Sequence, residues 1–271
     1  MNLIRFLFII LSIVLILLLN KYLFLPDFNQ VCEYALCCSL NIPVKSNYSK
    51  DKFYHVIDKD QLELFSKNIQ DVLVGSLLGD GCISKAGRGP VHFRFKQSVI
   101  HAEYFFFMYF ILENYITPGS PGFSQFFDKR YEQTYSSLLL LTNAVSKDIL
   151  NLDYLKDLFY KWDVDKQKSI KIIPHNIADL LSPIALAFWI CDDGHFYHNG
   201  VFLNTQSFGE DGVKFLMEAL KLKLNIEPKI SKVSKKSQQF RIFIPSKDLE
   251  LVKSLVLPHM CKSMHYKLGV K

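Results

Sequence analysis

The amino-acid sequence predicts an α+β fold of two pseudo-symmetric halves, preceded by a hydrophobic N-terminal segment. Three observations carry this. The stretch LVGSLLGDG at 73–81 has a counterpart of the same shape, LAFWICDDG at 186–194, with Asp80 and Asp193 in the same slot. After each stretch the elements recur in one order, helix, strands, helix, strands, helix, although most residue identities differ. The segment VHFRFKQ at 91–97 alternates Val91, Phe93 and Phe95 with His92, Arg94 and Lys96, the period-two pattern of a sheet with one buried face. A half of this kind is an amphipathic sheet with helices on one face. Two such halves side by side give a pseudo-twofold monomer, arranged as a homodimer would be.

The elements follow in order. Residues 1–25 stand apart: no charge occurs from Phe6 to Leu19, and with Tyr22 to Leu25 the apolar run nears membrane-spanning length. Arg5 resembles a signal-peptide n-region, but no small-x-small cleavage site follows. Two readings stand, a membrane contact through residues 3–25 and an upstream segment with no part in the folded domain. Residues 26–66 read as a linker, with Pro26 and Pro43. The first half takes 67–173 and the second 174–271. In the first half the helix ending in LLGDG is followed by VHFRFKQS, an apolar helix over 99–115, an extended segment over 131–142 and a helix over 146–160. In the second, LAFWICDDG leads to VFLNTQS, a helix over 210–224, extended segments over 228–234 and 238–246, and a helix over 247–257.

Composition supports a folded chain. Of 271 residues, 49% are hydrophobic and 21% charged, enough for a core and against disorder. The formal net charge of +6, mostly from Lys, leans toward a polyanionic partner. The six cysteines form no CxxC pair and match no zinc spacing, which excludes a zinc module and reads as reduced thiols. Lys over Arg, with abundant Phe, Ile, Leu, Tyr and Asn, is the usage of an AT-rich genome and points to an organelle.

The paired acids raise the chemical question. Gly75 and Gly79 lie four apart, on one helix face, where small residues let two helices approach closely. Gly81 and Gly194 suit the left-handed position just past a helix C-terminus. Asp80 and Asp193 then fall in the last turns of their helices, facing the negative end of the helix dipole. If the helices pair, the two carboxylates also repel each other, and a hard divalent cation resolves both problems. Mg²⁺ takes carboxylate and carbonyl oxygens and pairs with phosphate. Taken alone, each Asp is an ordinary helix-end residue; the duplication turns the reading toward metal-dependent phosphodiester hydrolysis.

LVGSLLGDG and LAFWICDDG resemble the two motifs of the LAGLIDADG homing endonucleases of the single-chain, intron-encoded type. IKIIPHNIADLLSPIALAFWICDDG, FLNTQSF and LPHMCKSMHYKLG are similar to the second half of members related to a yeast mitochondrial rRNA-intron endonuclease. The resemblance runs from about residue 71 to 271 and is strongest in the second half. It implies two saddle-shaped antiparallel sheets, each in an αββαββα-like half. It implies Mg²⁺ or Mn²⁺ held by Asp80 and Asp193, with the backbone carbonyls of Gly79 and Asp192, and a minor or structural role for the Asp192 side chain. Lys171 in KIIP and Lys267 in YKLG match the family's basic residues near each metal. Gln97 and Gln206 match polar residues that orient active-site water. Phe188 and Trp189 depart from the family's Gly and Leu, so Ala185, Ala187 and Cys191 must carry the close contact in the second motif.

The implied partner is double-stranded DNA with a long, non-palindromic site, because the halves differ. Candidate DNA contacts are His92, Arg94 and Lys96 in one half, and Lys229, Lys232, Lys235, Lys236 and Arg241 in the other. Lys235 and Lys236 read equally as a solvated hairpin tip. The implied function is site-specific double-strand cleavage that promotes homing of a group I intron, in a mitochondrion. The alternative is a maturase that binds intron RNA on the same fold. Intron reading frames often continue from an exon, which accounts for residues 1–25 without a membrane.

Overall fold

The computed structural model describes residues 48–85, 89–234 and 238–270. The hydrophobic segment 1–25, and with it any membrane contact through residues 3–25, lies outside them. Among the described residues no helix is long and apolar enough to cross a membrane.

Helix α1 (Lys59–Lys67) starts at a capping box. Asp58 Oδ1 accepts from the Gln61 backbone N–H at 2.8 Å while the Gln61 side chain reaches back to the Asp58 N–H. Helix α2 (Ile69–Leu78) follows almost at once and is buried along seven of its ten residues. Strands β1 (Cys82–Lys85) and β2 (Val91–Ser98), helix α3 (Ala102–Leu112), and strands β3 (Gly122–Asp128) and β4 (Gln133–Leu141) continue the first half. Short helices α4 (Ser146–Ile149) and α5 (Leu152–Phe159) then lead to a hairpin, β5 (Tyr160–Asp163) and β6 (Lys168–Lys171). The second half runs α6 (Ile177–Leu180), α7 (Pro183–Asp193), β7 (Gly194–Tyr197), β8 (Gly200–Leu203), α8 (Gly209–Leu224), β9 (Lys229–Lys232), β10 (Phe240–Ile244) and α9 (Ser246–Val256). It closes on a 3-10 turn at Lys262–Leu268.

The duplication is visible in the sheets. The first is ordered β1-β2-β4-β3 and the second β7-β8-β10-β9, all antiparallel. In β2 the expected alternation holds: Val91, Phe93 and Phe95 are buried while Arg94 and Lys96 are exposed. In β8 and just beyond, Val201, Leu203 and Thr205 take the buried face and Phe202 the other.

Helices α2 and α7 form the seam between the halves. A Cβ on Gly75 would stand 2.3 Å from the Ala185 carbonyl oxygen and 2.8 Å from Phe188 Cβ. One on Gly79 would meet Asp192 Cβ at 2.3 Å. The glycine face of the first motif is thus in backbone-to-backbone contact with the second. Start signals on α7 agree with its sequence: Ser182 accepts from the Ala185 N–H at 3.1 Å, and Pro183 occupies the first turn.

Three sequence expectations are corrected. Residues 50–66 are not a bare linker. Phe53 stacks on Phe106 at 4.2 Å and Tyr54 on Phe110 at 4.9 Å, which covers the outer side of α3 and explains why α3 is apolar all round. Phe65 packs edge-on to Phe107 at 5.6 Å and to Phe188 at 5.4 Å, tying α1 to both halves through pairs worth about 0.5–1.5 kcal/mol each. The helix expected over 146–160 is broken at Asn151, whose φ of 53° is left-handed, and Tyr160 already belongs to β5. Gly81 and Gly194 are not left-handed; Gly194 has φ −79° and ψ 150°. Space is what they provide, since a Cβ on Gly81 would lie 2.5 Å from Ser76 Oγ and one on Gly194 2.6 Å from the Ile190 carbonyl oxygen.

The seam yields a stability prediction. Gly75→Ala should destabilise the protein by about 1–3 kcal/mol, read as a lower urea midpoint at unchanged slope. An unchanged midpoint would mean that α2 and α7 do not touch at Gly75.

Candidate active site

The site lies where α2 and α7 end together. Asp192 is buried at the last turn of α7 and braces the junction. One of its carboxylate oxygens accepts from Tyr104 Oη at 2.7 Å; the other accepts from Ser76 Oγ at 3.2 Å and from the Asp80 backbone N–H at 3.1 Å. The second motif thereby holds the first motif's loop, and α3 holds both. Burial and the Asp80 charge push the Asp192 carboxyl well above the usual carboxylate range, while the bonds from Tyr104 and the Asp80 N–H oppose the shift.

Asp80 is exposed just past the end of α2. Gln97, buried on β2, donates from Nε2 to Asp80 Oδ2 at 2.6 Å. Asp193 is half-buried as the final residue of α7. Burial, then the charge of Asp80, raise its carboxyl to about 6 against the pull of Lys267 and Lys171. The two acids therefore feel each other, as the duplicated motif requires.

Each helix end is capped by a lysine from its own half. Lys171 Nζ, at the base of the β5–β6 hairpin, donates to the Gly79 carbonyl at 3.0 Å and the Gly81 carbonyl at 2.7 Å. Lys267 Nζ, from the C-terminal 3-10 turn, donates to the carbonyls of Cys191 and Asp192, the latter at 2.8 Å. Ammonium groups on the last carbonyls offset the helix dipoles where carboxylates would otherwise aggravate them. Desolvation depresses the Lys171 pKa, partly countered by the charges of Cys82, Asp192, Asp193 and Asp80.

The halves are not equivalent at the glutamines. Gln206 Nε2 donates to Asn204 Oδ1 at 3.3 Å and does not reach Asp193 directly. The physical reason is strand length. Strand β2 runs through Gln97, paired with Leu138, on the buried face. Strand β8 stops at Leu203, and Thr205, not Gln206, continues its buried parity, donating to the Phe240 carbonyl at 3.1 Å. Asn204 touches the site through its backbone, its N–H donating to the Asp193 carbonyl at 3.0 Å.

Cation chemistry is tested by the donors on offer. Among the described residues no three His, Cys, Asp or Glu side chains cluster at metal-ligand spacing. The available donors are the carboxylates of Asp80 and Asp193 and the carbonyls of Gly79 and Asp192, all oxygen. That set suits a hard cation that keeps water and binds phosphate, and does not suit zinc. Each of these carbonyls already accepts from a lysine and keeps a second lone pair.

The open face of the first sheet carries Arg94 and Lys96, cross-strand from Leu141 and Leu139, with His92 opposite Ser84. His92 Nδ1 is held 2.7 Å from the Thr142 carbonyl oxygen. In the second sheet Lys229 pairs with Phe243 and Arg241 with Ser231, so both lie on that half's open face. Lys232 does not. It pairs with buried Phe240, on the opposite face, and its Nζ sits 5.6 Å over that ring. Lys235 and Lys236 lie outside the described residues.

Sequence reasoning missed the aromatic content of these faces. Phe202 is the hub of the second, with His195 stacked at 5.3 Å, Phe243 at 4.7 Å and the Arg241 guanidinium 4.4 Å from its centroid. On the first, Phe126 pairs with Tyr135, both exposed. The sequence signal was present, since Phe202 and Phe243 share one parity on adjoining strands. His101 was also missed. Partial burial and the charge of Lys267 lower its pKa while Asp80 opposes, so it feels one charged group from each half.

Residues 70–251 match the LAGLIDADG DNA endonuclease family. The chain is 30% identical over 207 residues to the cytochrome b mRNA maturase bI2 of Saccharomyces cerevisiae, covering 74% of this chain but only 47% of that protein. It is 28% identical over 212 residues to the DNA endonuclease I-ChuI of Chlamydomonas applanata, covering 74% of this chain and 94% of that one. The fold is similar to the homing endonuclease I-WcaI bound to its DNA recognition sequence, with a TM-score of 0.61 and 24% identity over 84% of this chain and 93% of that one.

The raised Asp193 pKa has a stability consequence. Between about pH 4, the ordinary carboxylate value, and about 6 the folded state holds a proton that the unfolded state has lost. Stability therefore falls as pH rises through that window. In EDTA, Asp193→Asn should be more stable than wild type by about 1–3 kcal/mol at pH 7.5, with the gain shrinking toward zero below about pH 4. Urea titrations at several pH values measure it; a destabilised variant at pH 7.5 would contradict the assignment.

Proposed function

Because this chain belongs to the LAGLIDADG DNA endonuclease family, we propose that it is a site-specific, divalent-metal-dependent double-strand DNA endonuclease that promotes homing of a group I intron in a mitochondrion. The single observation that carries the reading is the convergence of Asp80 and Asp193 at the paired ends of α2 and α7, with Lys171 and Lys267 on the adjoining carbonyls. The halves 67–173 and 174–271 are proposed as the repeated units, each serving one DNA strand.

Asp80 and Asp193 would hold Mg²⁺ or Mn²⁺ with the carbonyls of Gly79 and Asp192. Such a cation, when bound, supplies charge neutralisation at the phosphate and a nucleophilic water for in-line hydrolysis. The remaining work falls to the chain itself. Gln97 fixes the Asp80 carboxylate through its 2.6 Å bond. Asp192 fixes the loop bearing Asp80. Lys171 and Lys267 place positive charge beside the scissile phosphate, where developing negative charge is offset without reorganisation. Gln206 is proposed to act at one remove, through Asn204. His92, Arg94, Lys96, Lys229 and Arg241 contact phosphates and base edges, and the two unlike faces read a long non-palindromic site.

A maturase that binds intron RNA is the second reading, favoured by the 30% identity to the yeast maturase. The chain spans less than half of that relative, so its activity does not transfer as a whole.

The test is cleavage of the intronless insertion site by the full-length protein with Mg²⁺. Wild type should cut both strands, and Asp80→Asn with Asp193→Asn should lower the rate by at least about 100-fold. Uncut DNA, or equal cutting by the double variant, would overturn the endonuclease reading. Rescue of intron splicing by that cleavage-dead variant would assign the maturase role.

A further inference from the structure

The hairpin β5–β6 leaves the repeat pattern, since the second half has no counterpart among the described residues. Its base is locked to the site. Tyr160 Oη accepts from the Ile83 backbone N–H at 2.9 Å, the Ile172 N–H donates to the Phe159 carbonyl at 2.7 Å, and Lys171 caps α2. Its turn is also built. Asp163 Oδ1 accepts from the Lys166 N–H at 3.0 Å, Asp163 pairs with Lys166 Nζ at 3.2 Å, and Gln167 Nε2 donates to the Val164 carbonyl at 2.7 Å.

The register places Tyr160 opposite Lys171 and Trp162 opposite Ser169. Cross-strand partners share a face, so Tyr160, Lys171 and Trp162 lie on the same side of the hairpin. Trp162 sits two residues further out, about 7 Å along the strand, and is 59% exposed. Lys161 and Lys168 are exposed on the hairpin's other face, and Lys166 at the turn is paired with Asp163. A stiff arm rooted at a catalytic lysine thus holds a large aromatic ring, uncovered, next to where the phosphate must lie.

We propose that this hairpin is a docking arm for the DNA strand beside the metal site, with Trp162 packing on the sugars and base edges that flank the scissile phosphate. The inference rests on the nuclease reading above and adds a positioning residue outside the two sheets. The occupant follows from continuity: the face that bears Trp162 runs into Lys171 and the paired acids, and the hairpin 160–171, with four Lys against two Asp, carries a net positive charge that suits a polyanion. An aromatic ring is indifferent to sequence, so the contact sets position more than specificity.

The chain has two tryptophans, and the other, Trp189, is fully buried, so dynamic quenching by acrylamide reports on Trp162. The experiment uses full-length protein, a duplex spanning the insertion site, and EDTA so that no strand is cut. Adding the duplex should reduce quenching and shift emission to the blue. Trp162→Ala should weaken duplex affinity about 5- to 100-fold, and Trp162→Phe should recover most of the loss, which a merely solvent-facing residue would not show. If wild type binds the duplex while quenching and the Trp162→Ala affinity stay unchanged, the docking arm is refuted and the nuclease reading stands. If wild type fails to bind the duplex, the nuclease reading falls and the docking arm with it.

Discussion

The approach of α2 to α7 is the constraint on which the rest depends. With Gly75 against the Ala185 carbonyl and Gly79 against Asp192, the two helix ends come as close as backbone allows. That brings two negative dipole poles and the acids of both motifs into one small region. Such a concentration of negative charge is unfavourable, and the surrounding contacts act to contain it. Lys171 and Lys267 cap the carbonyls, Tyr104 and Ser76 donate to Asp192, and Gln97 donates to Asp80. Even the extra helix α1 serves the seam, since Phe65 bridges α3 and α7.

The two halves share an architecture and differ in the use of each copy. The first motif has two glycines on the seam and an exposed acid; the second has Ala185 and Phe188 there and a half-buried acid. Gln97 grips its acid, while Gln206 stops at Asn204. Among the described residues only the first half carries such a hairpin, β5–β6, which delivers Lys171 from a strand, whereas Lys267 comes from a 3-10 turn. One chemical requirement, a cation on each pair of carbonyls, is met by two unrelated local structures. Sequence divergence between halves is therefore compatible with a shared site, provided that both lysines arrive.

Much of this was legible in the sequence because it rests on local signals. The alternation Val91–Phe93–Phe95 and the Gly75–Gly79 spacing each determine their own geometry. What escaped was decided by tertiary partners. Gly81 and Gly194 invite a left-handed cap on local grounds, but the nearness of Ser76 Oγ and the Ile190 carbonyl is the real demand for glycine. Gln206, like Gln97, is followed by Ser, yet β8 ends before reaching it. Lys232 is one residue from Ser231, which shares the open face with Arg241, and that single parity step turns it to the opposite face. The helix at 59–67 had a readable start, Asp58 with Gln61, but its value lies in covering α3, which no local pattern announces.

The lysines explain how the site can be both held together and receptive to a cation. Had Lys171 and Lys267 paired with Asp80 and Asp193 side chain to side chain, the carboxylates would be neutralised and a divalent ion would have to displace an ammonium. They bond carbonyls instead, which offsets the helix poles while leaving the acid oxygens open. Three acids, Asp80, Asp192 and Asp193, face two lysines, and partial burial with the Lys267 charge disfavours a cationic His101 as a third positive group. With Asp80 and Asp193 ionised, the balance at the helix ends is negative once the dipoles are included. Under the proposed reading, a hard cation bound there would relieve repulsion already present, and so would stabilise the fold at the same place where it would act on phosphate.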